Sequence, residues 1–394
     1  MKKKKRKKKR RLRKKRIAIL ILCIITIIYL IVLLCNKKSK LSELQKIGYS
    51  NLEINEINKL SKKEKDVIIN NKYNKYLIDY LKDDKYNKNK IEYYLKYSNK
   101  YKKIDYKKVI KLISNENFIE KNSDEYFKLL SKYKNINGII KYVNDLKDKE
   151  IDLTDDIISF IGQKYFIYDY LDRYLKYYEN NSDLKYSEIV TRINSNLDYT
   201  FYKDAKEADI SKGMYTLINK YNYLSKDYVP NNLVSVTGKY ARDKANLIDV
   251  AYESFKKMAD DAKKENLTIK ITTGYRSYSF QSTLYDNYVK IDGIEKADTY
   301  SARPGFSEHQ LGYSCDITDS NNVSFEDFQY TKEYEWLQKN AYKYGFIQRY
   351  PKDKEYITGF IFESWHYRYV GLDVAKYIYE NNITYEEYYS YFLR

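Results

Sequence analysis

Histidine is almost missing from this chain, with two in 394 residues against 73 lysines and arginines and 49 tyrosines. Cysteine and proline are nearly as scarce, at three each. Each shortage excludes something. Cys23 and Cys35 fall in one apolar run and Cys315 stands alone, so the body has no intrachain disulfide and its core must be self-sufficient. Residues 37 to about 215 hold no proline, and almost no glycine occurs between Gly48 and Gly213, which leaves helical spacing uninterrupted there. The two histidines, His309 and His366, are thus confined to two short segments, "SEHQLGYSCD" and "ESWHYRYVG".

What is abundant is positive charge, and it is concentrated. Fourteen of the +19 net charges lie in residues 2–16, so the remainder carries only +5. A basic run of this kind fits nucleic acid in isolation. Here it abuts Ile17 to Cys35, nineteen residues without a charge. An apolar helix of about 20 residues spans a bilayer, and flanking lysine and arginine hold their end in the cytoplasm. The pattern predicts a cytoplasmic tail (1–16), an uncleaved transmembrane helix (17–35) and a body outside the cell membrane. Nucleic acid is not expected as a partner.

Residues 37–215 read as an all-α region of degenerate repeats. "YLKYSNKYKKIDYKKVI" from Tyr94 aligns without a gap on "YLKYYENNSDLKYSEIV" from Tyr174. A weaker copy lies between them. Tyr86, Phe118 and Phe166 each precede Tyr94, Tyr126 and Tyr174 by eight residues. Stacked helical repeats follow as the expectation, serving as a stalk or spacer or docking an unidentified partner.

Past Pro230 glycines return and the pattern mixes. The sequence predicts an amphipathic helix over 241–266, a strand through Leu267, Ile269 and Ile271, helices over 279–290 and 327–346, and a β-leaning segment around "FIFESWHYRYVG". Residues 216–394 are therefore expected to form an α+β domain.

The chemistry gathers in that domain. His309, Asp316 and His366 supply two imidazoles and a carboxylate, the ligand set of a catalytic zinc with one position open. Gly312 allows a turn between the first two. Glu363, three residues before His366, is placed to act as general base. Arg276 in "TTGYRS" could pair with a substrate carboxylate. Strand alternation turns Cys315 away from the metal.

These segments resemble the zinc D-alanyl-D-alanine carboxypeptidases of the VanY type, which group with VanX dipeptidases and the Hedgehog-like fold. The pattern S-x-H-x-x-G-x-A-x-D followed by E-x-W-H is matched at Ser307, His309, Gly312, Asp316, Glu363, Trp365 and His366. "DYVPNNLV", "TGYRSYSFQ", "NAYKYGFIQRYP", "ITGF" and "RYVG" extend the likeness over about 221–394. Ser314 and Ser364 depart from the usual alanine and proline. The resemblance implies Zn2+ on His309, Asp316 and His366, Glu363 as base, Arg276 on the terminal carboxylate, and Ser307 and Gln281 as supporting or substrate-contacting groups. It implies a membrane-anchored enzyme that removes the C-terminal D-alanine from peptidoglycan stem peptides. An L,D-carboxypeptidase, an endopeptidase and a non-catalytic wall-binding scaffold remain as alternatives.

Overall fold

The computed structural model describes residues 15–17, 19–29, 31, 42–101 and 105–394. No helix among them is long and apolar enough to cross a membrane. Of the expected span, residues 17, 19–29 and 31 are helical, with exposed side chains such as Leu22. Residues 18, 30 and 32–35 of that span, and residues 1–14 of the basic tail, lie outside the described residues.

The chain divides into two compact units, Met1–Thr154 and Asp155–Arg394. In the first, successive short helices begin at capping boxes, Ser42 with Gln45, Ser50 with Glu53 and Ser61 with Glu64, which satisfy otherwise orphaned amides. The repeat copies then share one local construction. A 3-10 turn (Lys88–Lys90, Glu120–Asn122, Tyr168–Tyr170) leads into a helix (Ile91–Lys100, Ser123–Leu130, Leu171–Glu179). In each, the buried tyrosine at 94, 126 or 174 packs on the aromatic ring eight residues earlier, at 5.3, 5.1 and 5.6 Å. Its hydroxyl accepts from the amide of Asn87, Ile119 or Ile167. It also pairs with Ser114, Asn144 or Asn194 on a following helix. Those side chains donate in turn to the carbonyls of Lys85, Asn117 and Tyr165. The repeated tyrosine is thus the link that ties one helix to the next.

The third copy belongs to the second unit, which begins well before proline and glycine return. Tyr165 stacks on Tyr391 at 3.5 Å, and Thr191 bonds its hydroxyl at 3.2 Å. These contacts hold helices 155–194 against the C-terminal helix.

The second unit is α+β. A hairpin pairs β1 (Leu233–Val236) with β2 (Ala245–Ile248), followed by helix α1 (Asp249–Lys264). The predicted helix from 241 therefore starts late, because residues 245–248 gain more by pairing with β1, which buries Leu247. The main sheet contains β3 (Lys270–Thr273), β4 (Ser314–Thr318), β5 (Phe346–Tyr350) and β6 (Glu363–Tyr369) in the antiparallel order β3-β4-β6-β5. Helix α2 (Tyr278–Asp292) follows β3, and α3 (Lys332–Asn340) precedes a 3-10 turn that Gly345 ends. The predicted helix 327–346 is thus divided into shorter pieces. Helices α4 (Leu372–Asn381) and α5 (Tyr385–Phe392) close the chain.

Strand alternation gives the sheet two different faces. Cys315, Ile317 and Tyr367 join Phe255, Met258 and Ala262 of α1 in one fully buried apolar core. Asp316, His366 and Arg368 take the other face. The core thus fixes the strands from behind, while their opposite side carries charge.

Candidate metal centre and its cleft

Asp316 and His366 meet because the antiparallel register of β4 and β6 places them directly opposite one another. His309 arrives on the 3-10 turn Glu308–Leu311. Gly312 closes that turn at φ 83°, and its amide donates to the His309 carbonyl at 3.2 Å. A side chain is disfavoured there by the backbone conformation.

The orientation of His309 follows from one hydrogen bond. Its Nδ1 lies 2.7 Å from the carbonyl oxygen of Gly274. A carbonyl only accepts, so Nδ1 carries the proton and Nε2 presents a lone pair. That lone pair faces Asp316 Oδ1 at 3.4 Å. His366 Nδ1 approaches the same oxygen at 3.2 Å. Oδ1 nevertheless has no aligned hydrogen bond among the described residues, and His366 Nε2 is also buried without a partner. Ligating atoms of the three residues all lie within 4.8 Å of one another. The His309 lone pair and the Asp316 carboxylate repel one another at 3.4 Å unless a cation sits between them. Two imidazoles and one carboxylate suit a zinc-type ion with a free coordination position.

Gly274 is required by close packing. A β-carbon there would stand 2.1 Å from the carbonyl oxygen of Asn246 in β2. The same oxygen accepts from the Tyr275 amide at 2.6 Å. The hairpin therefore sets the position of the carbonyl that orients His309.

Glu363 shares a face with His366 although three residues separate them. Between Tyr367 and Glu363, β6 takes four steps where β5 takes two from Gln348 to Tyr350. This bulge cancels the usual alternation. Glu363 Oε2 lies 3.5 Å from His366 Nδ1. Burial pushes the Glu363 carboxyl up to about 8, against the opposing pull of His366. Burial lowers His309 and favours its neutral form. Burial would raise Asp316, and positive charge carried by His309 or His366 pulls that carboxyl back to well below the usual range. His366 is disfavoured as a cation by burial yet raised by Asp316.

Arg276 sits beside these groups, with Nη2 3.6 Å from Asp316 Oδ2 and Nη1 donating to Gln281 Oε1 at 2.7 Å. Its buried Nε has no partner among the described residues. Gln281 is buried and donates to the Ala302 carbonyl at 2.7 Å. It lies behind Arg276, orienting the guanidinium, rather than in the cleft. Ser307 lines the cleft with Arg276, His309, Asp316, Glu363 and His366, in a cavity of about 630 Å3. Leu284, Tyr288, Phe360 and Trp365 form apolar walls, and Trp365 stacks on Phe325 at 5.0 Å. Cys315 points into the core, where burial raises its thiol. Trp365 belongs to the motif read in the sequence, whereas Leu284, Tyr288 and Phe360 were not singled out, since apolar and aromatic side chains are too common in this chain to stand out.

The chain is similar in sequence to several known proteins. The family model described as VanY, D-alanyl-D-alanine carboxypeptidase, matches residues 244–372. The Bacillus subtilis (strain 168) protein named "Putative carboxypeptidase YodJ" is 39% identical over 206 residues, 49% of this chain and 76% of the relative. The "Bifunctional D-Ala-D-Ala dipeptidase and D-Ala-D-Ala carboxypeptidase VanXYC" of Enterococcus gallinarum is 31% identical over 44% of this chain and 93% of its own. Among solved structures, the LdcB LD-carboxypeptidase is 43% identical, covering 44% of this chain and 85% of that one, with a TM-score of 0.41.

Gly274→Ala tests the orienting contact. The substitution is expected to destabilise the second unit by about 1–3 kcal/mol through overpacking and to weaken divalent-metal binding about tenfold or more. Thermal unfolding of the metal-free chain and titration against a chelator measure the two effects. A folded variant with unchanged metal affinity would show that the Gly274 carbonyl does not set His309.

Proposed function

Because this chain belongs to the VanY family of D-alanyl-D-alanine carboxypeptidases, we propose that it is a zinc metallopeptidase that removes the C-terminal D-alanine from peptidoglycan stem peptides. The observation that carries this reading is the convergence of His309 Nε2, His366 Nδ1 and Asp316 Oδ1 without a hydrogen bond at Oδ1, beside a guanidinium in the same cleft.

His309, Asp316 and His366 would hold the metal. Zinc bound there supplies Lewis acidity toward the scissile carbonyl. Glu363 takes a proton from the attacking water and returns it to the departing amine, so one carboxyl serves as base and then acid. Arg276 pairs with the free carboxylate of the terminal residue, its guanidinium held by Gln281 and Asp316. A cation at that position favours a substrate with a free C-terminus and hence removal of one residue at a time. Ser307 and the apolar walls border the space for the rest of the peptide.

We further place residues 17–35 across the cell membrane, with the basic tail inside and the peptidase unit outside. Residues 42–154 then act as a spacer toward the wall. If so, the full chain stays with membranes after carbonate extraction and a chain lacking residues 1–35 does not. Release of the full chain by carbonate would count against the anchor.

The activity is tested with the full chain in detergent, incubated with stem pentapeptide and tetrapeptide with and without chelator. Zinc-loaded protein is expected to release D-alanine from the pentapeptide, and chelation to abolish release. Glu363→Gln should retain zinc while kcat falls about 10²–10⁴-fold. Release from the tetrapeptide alone would assign an L,D bond instead, and no release from either would sink the carboxypeptidase reading.

A further inference from the structure

Next to the metal centre lies a second cluster of charge, of which Glu308 also lines the cleft and to which the reaction assigns no step. Glu308, Arg349, Arg368 and Glu386 are all buried, with side-chain exposures of 2% or less. Arg349 Nε donates to both Glu308 oxygens at 3.1 and 2.9 Å, and its two terminal nitrogens form a fork on Glu386 at 2.9 and 2.5 Å. Arg368 Nη1 donates to Glu308 Oε1 at 3.1 Å. Its other nitrogens reach the carbonyls of Met214, Thr216 and Tyr369. Two guanidinium groups and two carboxylates balance, so the cluster carries no net charge.

Its members sit where the metal centre is assembled. Glu308 immediately precedes His309 on the same 3-10 turn. Arg368 follows His366 by two residues, which puts it on the same face of β6, opposite Ser314 and two register positions from the Asp316–His366 pair. Arg349 adjoins Tyr350, which pairs with Glu363 and packs its ring 5.0 Å from that of His366. Glu386 comes from α5, whose Tyr391 is backed by the third repeat. The cluster therefore joins the turn bearing His309 to the strand bearing His366. Glu308 and Arg368 make that link directly, and Arg349 ties Glu308 in addition to Glu386 in a helix at the far end of the chain.

Burying four charges is costly, and well-packed apolar residues often stabilise a fold equally well. What apolar packing does not supply is a fixed direction. Forked guanidinium–carboxylate pairs hold their partners to a narrow geometry.

We propose that Glu308, Arg349, Arg368 and Glu386 form a positioning network that sets His309 against His366 for metal binding, so that α5 is part of the metal centre although it contributes no ligand. This rests on the reading of His309, Asp316 and His366 as the ligands. Glu386 acts through Arg349 on Glu308, and Glu308 acts through its turn on His309.

The test uses the full chain and zinc, with affinity measured by competition against a chelator and stability by thermal unfolding of the metal-free protein. Glu386→Gln is expected to lower zinc affinity about 10–100-fold, as loss of an outer partner does at other metal sites. Because that variant can also destabilise, the pair Arg349→Met with Glu386→Leu is measured beside it. That pair removes a charge of each sign and keeps Glu308 with Arg368. It should keep wild-type stability and still bind zinc at least tenfold more weakly. Wild-type zinc affinity in either folded variant, or recovery of affinity together with stability in the double variant, overturns the network's positioning role. Failure of the wild-type chain to bind zinc would instead overturn the ligand assignment on which it rests.

Discussion

The site depends on one hydrogen bond, from His309 Nδ1 to the carbonyl of Gly274. It fixes which imidazole nitrogen carries the proton. The other nitrogen then turns its lone pair toward the Asp316 carboxylate, an arrangement that a cation stabilises. Were the tautomer reversed, His309 and Asp316 would form an ordinary buried hydrogen bond. The carbonyl is held at this point because Gly274 has no side chain and can lie against the backbone of Asn246. A backbone contact between a hairpin and a strand end thus prepares a cation site.

Around this contact the sheet separates two jobs by alternation. One face is apolar and closes on α1, making β4 and β6 rigid. The other face carries Asp316 and His366, then Arg368 in the next row. The bulge in β6 adds Glu363 to the same side. Ligands and base therefore come from a well-packed scaffold, and only His309 and Arg276 arrive on connecting segments. Those two are bound to each other, the Arg276 amide donating to the His309 carbonyl at 3.2 Å. Contacts of this kind reduce the motion available to a site that must hold a metal and a peptide together.

Much of the chemistry was legible in the sequence because histidine is so rare here. Two imidazoles flanked by carboxylates stand out when there are no others, and strand alternation correctly sent Cys315 into the core. The equivalence of Tyr94, Tyr126 and Tyr174 was also visible, since their spacing to the preceding aromatic is constant. What the sequence hid depends on partners distant along the chain. The start of α1 was masked because Leu247 and Ile248 fit a helical face as well as a strand, and pairing with β1 decides between them. Gln281 reads as either a supporting or a substrate-contacting group until α2 places it behind Arg276. Glu308 lies inside the recognised motif, yet its partners Arg349 and Arg368 are 41 and 60 residues away. Both lie in segments that carry the family likeness, but nothing in the local sequence shows that they pair with Glu308.

The central claim is that His309, Asp316 and His366 hold one metal ion. X-ray absorption at the zinc edge on the purified full chain tests it most directly, together with zinc stoichiometry for the wild type and for Asp316→Asn. The expected result is one zinc per chain in a nitrogen and oxygen environment with two imidazoles and no sulfur, and a large loss of affinity in the variant. A sulfur ligand, the absence of bound zinc, or full retention of zinc by Asp316→Asn would contradict it.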